Sequence, residues 1–581
     1  LVKLTLFVIF KLYRITWRYV GLNDLFNTLN AVVLSEAILM VLILMSSSRY
    51  HSIFPRDFFS GFPRSVFIID GVLSFFLLSG FRISRRVLSE IVLQKKKPGK
   101  EGKRTIIIGA GNTGEMILRD MSKLGHADFY PVAILDDNPE KIGTYIHGVK
   151  VLATTKKLRA AVLRYGAEAV IIAIPSLNYN TLRNIYNLAK KSKVKTIKIV
   201  PRIYDFHNID VNPLNLEEIR IEDLIGRQTV EIDYQEIEKF LKDRAVLITG
   251  AGGSIGFEIV MQVCGFYPAK VILFEIDETE LHNLELKLKG SFPHLIGNVH
   301  FVVGDIRDSG RVDEVFRTFH PEIVFHAAAY KHVPMLEYNP GEAVKVNIFG
   351  TYNLAAAAVR YGVKKFVMIS TDKVVMPTSI MGATKRLAEK ICSAYNVNGS
   401  NATEFVSVRF GNVLGSRGSV LPLFLEQLKN GGPITITHRE MQRYFMTIPE
   451  AVSLVLQASV MGKRGEVLAL DMGKPVKIVE MAEELIRLHG LEPYRDIGIE
   501  FTGIRHGEKL FEELLTAEEG TTATKHEKIF IAKNSQKYNI QEIESIIGEF
   551  QDAVSDTSGE NKTKIKTLLK KYVTHFEDAV H

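Results

Sequence analysis

Apolar positions are unevenly spread along this chain, and their spacing predicts several kinds of segment. Residues 31–46 form a nearly unbroken apolar run, and Ser65–Gly80 a second that carries one charge, Asp70. Each is slightly shorter than the ~20 residues a membrane-spanning helix needs, and flanking residues can extend both; a pair of buried core helices is the competing reading. From residue 105 onward the runs shorten. Thr105–Ile108, Val132–Leu135, Ile197–Val200, Val246–Thr249, Val271–Phe274, Val299–Val303, Ile323–His326 and Lys365–Ser370 read as strands separated by helical stretches. That alternation implies α/β architecture, with parallel, doubly wound sheets and ligands at the carboxyl ends of the strands. Two helical patterns, near Ile540–Ala553 and Lys562–Ala579, close the chain.

Charge orients the apolar runs. Arg82, Arg85 and Arg86, then Lys95, Lys96, Lys97, Lys100, Lys103 and Arg104, follow the second run and place the C-terminal part in the cytoplasm. Lys11, Arg14 and Arg18 place residues 11–25 on the same side, as two crossings require, while Arg49, Arg56 and Arg64 in the outer loop weaken the asymmetry. Glu36 and Asp70 are costly at membrane depth and are expected to face a partner helix. The apolar stretch Leu1–Phe10 has no signal-peptide layout; it reads as the end of a further helix whose beginning is missing, which the sequence alone leaves open.

Composition narrows the classes. With 581 residues, 46% hydrophobic and 24% charged, the chain is neither disordered nor low-complexity, and it is long enough for several cores. Its two cysteines, Cys264 and Cys392, exclude a disulfide scaffold and a cysteine zinc site. A net charge of +8 fits an anionic ligand or a membrane surface and does not argue for nucleic acid.

Two glycine motifs sit between predicted strands and helices. Gly109-Ala-Gly-Asn-Thr-Gly114 has the G-x-G-x-x-G spacing, and Asp136 and Asp137 end the next strand, where a ribose-binding acid would stand. Nucleotide binding and a purely structural or regulatory role are both open for this first Rossmann-like domain. Gly250-Ala-Gly-Gly-Ser-Ile-Gly256 opens the second, and Glu275 ends its next strand, where a carboxylate favours NAD over NADP by repelling a 2′-phosphate. The organisation predicted is a membrane segment of about two transmembrane helices (1–86), a basic linker (87–104), a first Rossmann-like domain (105–200), a connector (201–240), a second, larger one (241–520) and a C-terminal helical extension (521–581).

Gly250–Gly256, Asp305-Ile-Arg-Asp308, Ala327-Ala-Ala-Tyr-Lys-His-Val-Pro334, Asn347 and Gly350-Thr351 resemble the extended short-chain dehydrogenase/reductase superfamily. Ser370-Thr-Asp-Lys373, Met381-Gly-Ala-Thr-Lys-Arg386, Arg409-Phe-Gly-Asn-Val413, Gly415–Val420, Arg443-Tyr-Phe-Met-Thr447 and Arg505-His-Gly-Glu-Lys509 resemble one branch of it. That branch is the membrane-bound bacterial UDP-N-acetylglucosamine 4,6-dehydratases of polysaccharide and glycan biosynthesis. The likeness extends to Leu12-Tyr-Arg14, Trp17-Arg-Tyr19 and Ile221–Arg227. The family usually has about four membrane helices, so the resemblance implies a shortened N-terminus and a multi-pass protein of the inner membrane with its catalytic domain in the cytoplasm. Three positions depart from the family: Glu275 for a usual Asp, Met376 for Asn and His506 for Pro.

Most of the superfamily uses Tyr-x-x-x-Lys, whose spacing sets both side chains on one helix face. Here the spacing survives as Met381-x-x-x-Lys385, and a thioether carries no proton. A dead enzyme, a merely solvated Lys385 and a relocated proton acceptor are the three readings, and the branch resembles the last.

The resemblance implies oxidation of the sugar at C-4 by NAD⁺, loss of water across C-5/C-6 and return of hydride to C-6. It implies Lys373 as C-5 base, partly neutral, and Asp372 as the acid at C-6, partly protonated. The acceptor of the C-4 proton is then sought among Ser370, Thr371 and Asp372, with Thr371 favoured, directly or as a relay, and Lys385 supplying charge nearby. It further implies cofactor contacts from Gly250, Gly253, Ser254, Ile255, Gly256, Glu275, Asp305, Ile306, Ala327, Ala328 and Lys385. Substrate contacts are implied for Lys331, His332, Asn412, Arg417, Ser419, Val420, Arg443, Arg505 and Glu508, where arginine forks suit a diphosphate. His326 and His332 lack metal-ligand spacing, so no metal is expected. Membrane lipid and a second copy of the chain are the expected partners. A UDP-sugar 4-epimerase and a non-catalytic nucleotide-sugar sensor remain as alternatives, and an epimerase needs no acid–base pair at C-5/C-6.

Overall fold

The computed structural model describes residues 2–10, 22–47, 63, 65–95, 102–124, 128–174, 179–200, 217–218, 232–397, 403–513, 521–532, 538–557 and 559–577. The motifs at 12–19 and 221–227, and the charges Lys11, Arg14, Arg18, Arg49, Arg56, Arg64, Lys96, Lys97 and Lys100, lie outside them. The chain divides into two units, Leu1–Ile174 with Val194–Thr196, and Pro175–Lys193 with Ile197–His581.

The first unit begins with the helices Val2–Ile9, Leu22–Ser47 and Ser65–Lys95. Among the described residues one helix is long and apolar enough to cross a membrane, through the window Leu25–Leu42 at mean hydropathy 1.8; the apolar part of the third helix, Ser65–Phe81, is shorter. Glu36 and Asp70 do face a neighbouring helix, where both meet one cation: Lys3 Nζ stands 2.6 Å from Glu36 and pairs with Asp70. Beyond the helices, Lys103–Ile108 pairs in parallel with Phe129–Leu135 and Ala169–Ile172. The first glycine loop follows Lys103–Ile108, and the Asp136 carboxylate accepts the Ala110 N–H at 2.6 Å and the Asn138 N–H at 2.8 Å. Asp137 is held instead by Thr155.

The second unit is built on a nine-stranded sheet. Its order is Val299–Val303, Lys270–Glu275, Ala245–Thr249, Ile323–His326, Lys365–Ile369, Glu404–Arg409, Val467–Leu470, Ile529–Ala532 and Thr521–Ala523. The strands from Val299–Val303 through Val467–Leu470 are parallel, and the last two join antiparallel. Residues 521–532, assigned from sequence to a helical extension, therefore belong to this sheet; that segment's apolar run is too short to reveal which edge it would pair with. Alternate residues of the central strands enter opposite cores, Leu247, Ile272, Val324 and Phe366 on one face, Val246, Leu273, Phe325 and Val367 on the other. The order reverses direction between Ala245–Thr249 and Ile323–His326, and such a switch point opens a crevice at the carboxyl ends of the strands.

Candidate active site

One wall of that crevice is the second glycine loop. Gly250 has φ +66°, and a Cβ there would lie 2.6 Å from the Ala328 nitrogen; a Cβ on Gly256 would lie 1.9 Å from the Gly250 carbonyl oxygen. Only glycines allow the loop to fold this tightly and bring helix Ser254–Cys264, with Ile255 in its first turn, against the strand ends. Gly253 precedes the helix and donates its N–H to Gly250 O at 3.0 Å. Glu275 turns back over the loop: Oε2 accepts the Gly252 N–H at 2.8 Å and Oε1 those of Ile276 and Asp277 at 2.9 and 3.2 Å. Asp305 is engaged by the Arg307 backbone and guanidinium, and its neighbour Ile306 is buried against Gly350. Ala327 and Ala328 follow the adjoining strand Ile323–His326 beside Gly250, and Asn347 clamps the segment beyond them by bonding both the N–H and C=O of Tyr330.

The Thr371-Asp372-Lys373 segment follows strand Lys365–Ile369. Thr371 Oγ1 donates to Asp372 Oδ1 at 2.9 Å. Asp372 is 1% exposed, and its Oδ2 has no partner among the described residues; it lies against Gly411, where a Cβ would come within 2.8 Å of it. Lys373 Nζ reaches Asp372 Oδ1 and Asn412 Oδ1, both at 3.0 Å, and Glu512 Oε1 at 3.4 Å. Burial raises the Asp372 carboxyl above its ordinary range, and Glu512 adds to this, against the pull of Lys373. Burial alone would lower Lys373, but Asp372 and Glu512 together carry it above the ordinary lysine value. Against the expected partly neutral Lys373, the two neighbouring carboxylates favour its ammonium form in this arrangement.

Met381 is buried near the start of helix Ile380–Val397, with Lys385 one turn on. Burial brings Lys385 down to about 8, and burial with the Lys385 charge keeps the enclosed His326 neutral. Ser370, a sequence candidate for the C-4 proton, is committed elsewhere: its hydroxyl donates at 2.6 Å to Glu389, which also binds Arg409 at 2.7 and 2.8 Å.

A cavity of about 180 Å³ adjoins this cluster, lined among others by Lys373, Asn412, Arg443, Arg505, Glu508 and Glu512. Short strand pairs place two of these, Asn412–Val413 beside Phe445–Met446 and Gln442–Arg443 beside Val476–Lys477. Arg443 spends most of its fork on its own chain, donating to the Gln442, Leu510 and Lys509 carbonyls and to Glu508. It acts here as the anchor of the 508–512 segment. Arg417 is also placed differently from expectation. Its backbone N–H donates to Ser254 Oγ at 3.1 Å, its guanidinium bonds Gly252 O, and it pairs with Glu280 at 2.5 Å, which sets it over the glycine loop. Lys331 donates to Arg417 O at 2.9 Å, and the His332 ring packs against Gly418, so both support that loop. Ser419 Oγ and Glu508 Oε2 are buried without partners among the described residues, and Val420 begins the next helix. His506 approaches Glu337 at 3.7 Å. Glu512, missed in the sequence, stands four residues beyond Glu508 in the same acidic segment; that spacing was its only signal. No metal-binding cluster occurs among the described residues.

A doubly wound sheet, a glycine loop under its switch point and a Thr-Asp-Lys cluster at a strand end define an extended short-chain dehydrogenase/reductase, an enzyme of the nucleotide-sugar dehydratase and epimerase type. A family model described as "Polysaccharide biosynthesis protein" matches residues 246–534, and one described as "CoA-binding domain" matches 9–201. The capsular polysaccharide biosynthesis protein CapD of Staphylococcus aureus is 42% identical over 96% of this chain and 90% of its own length. The probable polysaccharide biosynthesis protein EpsC of Bacillus subtilis is 40% identical over 90% of this chain and 84% of its own. The crystal structure of Pen from Bacillus thuringiensis is 37% identical, covering 52% of this chain and 90% of that one, at a TM-score of 0.47. The chain belongs to this polysaccharide biosynthesis family.

Proposed function

We propose that the enzyme converts UDP-N-acetylglucosamine into a UDP-4-keto-6-deoxy-N-acetylhexosamine and that NAD is its resident cofactor. The residues present fit NAD. The cradle between Gly250 and Ala328 is too close for any Cβ, and the helix beginning at Ser254 presents backbone N–H groups to a diphosphate. Glu275 ends the next strand, where a carboxylate suits a ribose hydroxyl. Bound there, NAD supplies a hydride acceptor at C-4 and a donor at C-6.

The observation that carries the reading is the contact chain from Thr371 through Asp372 to Lys373 beside a helix whose tyrosine position holds Met381. An alcohol at C-4 passes its proton to Thr371 Oγ1, which hands its own to Asp372, 2.9 Å away. A free threonine hydroxyl is a poor base; as a relay ending on a carboxylate it is adequate. The proton lost at C-4 thereby reaches the group that donates one to the departing C-6 hydroxyl, while Lys373 removes the C-5 proton that the 4-ketone acidifies. An epimerase would have no use for the second half of this chain. Arg505, Glu508 and Asn412 are the polar groups left to receive the UDP-sugar.

The N-terminal helices hold the enzyme in a lipid bilayer by more than one pass, with the catalytic unit on the cytoplasmic side. The apolar side chains Phe26, Val33, Ile68, Phe76, Leu77 and Phe81, all more than half exposed, support the lipid contact. Incubating the purified protein with UDP-N-acetylglucosamine tests the reaction. A 4-keto-6-deoxy product carrying deuterium at C-5 when made in deuterated water is expected; a 4-epimer, or unchanged substrate, would overturn it.

A further inference from the structure

The ammonium of Lys373 has three N–H groups and, among the described residues, three acceptors: Asp372 Oδ1, Asn412 Oδ1 and Glu512 Oε1. An ammonium so engaged has no lone pair with which to take a proton from carbon. For Lys373 to serve as the C-5 base in the reaction proposed above, on which this inference rests, one of its protons must first leave along one of these contacts. The amide oxygen of Asn412 is a negligible base. Asp372 has by then been given the proton from C-4 through Thr371. Glu512 remains. It is buried, with Oε2 unpartnered among the described residues and lining the same cavity.

We propose that Glu512 is the proton acceptor that converts Lys373 from ammonium to amine before the elimination. Glu512 acts through Lys373. The step balances: Lys373–NH₃⁺ and Glu512–COO⁻ become Lys373–NH₂ and Glu512–COOH, and the amine then takes the C-5 proton. Asp372–COOH gives its proton to the C-6 oxygen, the C–O bond breaks, and water leaves. Once hydride has reached C-6, Lys373 returns its proton to C-5 and recovers the stored one from Glu512. Each group ends in its starting state.

The charges around the pair give the order of events. Glu512 faces Lys373, Arg443 at 3.6 Å and Lys509, and Asp372 contacts the same Lys373 ammonium. Burial pushes the Glu512 carboxyl up, but these cations hold it below the ordinary range, so at rest it is the ionised, receptive member. Transfer from Lys373 is uphill while Asp372 is also ionised. Protonating Asp372 removes the negative charge 3.0 Å from Lys373 and makes the transfer easier, so oxidation at C-4 prepares the base for C-5.

Glu512→Gln keeps the shape and can accept a hydrogen bond, but it cannot take a proton. In single turnover with UDP-N-acetylglucosamine, the variant is expected to form reduced nicotinamide at the normal rate and then stall. Product should appear about 10²–10⁴-fold more slowly, in the range general acid–base catalysis contributes. Its rate should climb with pH as Lys373 loses its proton to solvent instead, and Glu512→Asp should recover part of the loss. Normal product formation in Glu512→Gln would overturn the proposal, and so would failure to form reduced nicotinamide, which would make Glu512 a structural support for Arg443. Wild-type enzyme that forms neither reduced nicotinamide nor product would instead refute the assigned reaction.

Discussion

Two lysines of the catalytic unit, Lys373 partly buried and Lys385 buried, sit in opposite electrostatic surroundings. Lys373 is bracketed by Asp372 and Glu512 and keeps its proton; Lys385 pairs with no carboxylate among the described residues, and burial lowers it to about 8. If the positive charge of Lys385 assists loss of the C-4 proton, activity follows its ammonium form. That form disappears as pH rises through about 8, so kcat should fall on the alkaline side of that value. Lys385→Arg, whose guanidinium stays charged, should lower the rate yet abolish this limb; an unchanged alkaline limb would show that another group titrates there. Met376 shows a different residue-scale cost. It adopts φ +42°, a left-handed conformation that suits the Asn common in the resembled family better than a long side chain.

The helix Ile380–Val397 joins catalysis to packing. Met381 and Lys385 stand in its first turns, and Glu389, one turn later, closes the buried bonds to Ser370 and Arg409. Its apolar positions Ile380, Leu387 and Ile391 share a core with Ile543, Ile547 and Phe550 of Ile540–Ser555 and with Ile565 and Leu569 of Asn561–Tyr572. Lys390 also donates to the Tyr572 carbonyl at 2.8 Å. The C-terminal helices therefore brace the helix that carries Lys385. Phe550 is fully buried, and Phe550→Ala should destabilise the unit by about 3–5 kcal/mol through lost burial and a cavity. Thermal unfolding would register this as a lowered midpoint, with bound NAD per folded molecule unchanged; an unaltered midpoint would mean that these helices do not stabilise the catalytic core.

At the scale of the whole chain, apolar helices precede an α/β enzyme. Within the helices, Lys3 lies between Glu36 and Asp70, so one cation offsets part of the charge of two carboxylates set among apolar helices. Gly71 permits this closeness, since a Cβ there would stand 3.2 Å from Glu36 Cγ. Deleting residues 1–95 should move the protein from the membrane pellet to the supernatant in a fractionated lysate. A shortened chain that still pelleted with lipid would place the membrane contact elsewhere.

Five strands of the second sheet, from Val246–Thr249 to Lys365–Ile369, and its glycine loop were legible in the sequence, because short apolar runs, glycine spacing and strand-end carboxylates are local features. Thr371, Asp372, Lys373 and Lys385 drew attention through the family resemblance of their motifs, together with their positions after a strand and along one helix face. Contacts between distant segments were not legible. Nothing local distinguishes the fork of Arg443, spent on the Lys509 and Leu510 carbonyls, from one open to a diphosphate, or sets Arg417 over Gly252. Residues 521–532 join the sheet only because Val467–Leu470 offers them an unpaired edge. The electrostatic surroundings of Lys373 were likewise set by tertiary structure, because folding brings Glu512, a carboxylate more than a hundred residues away, within 3.4 Å of its nitrogen.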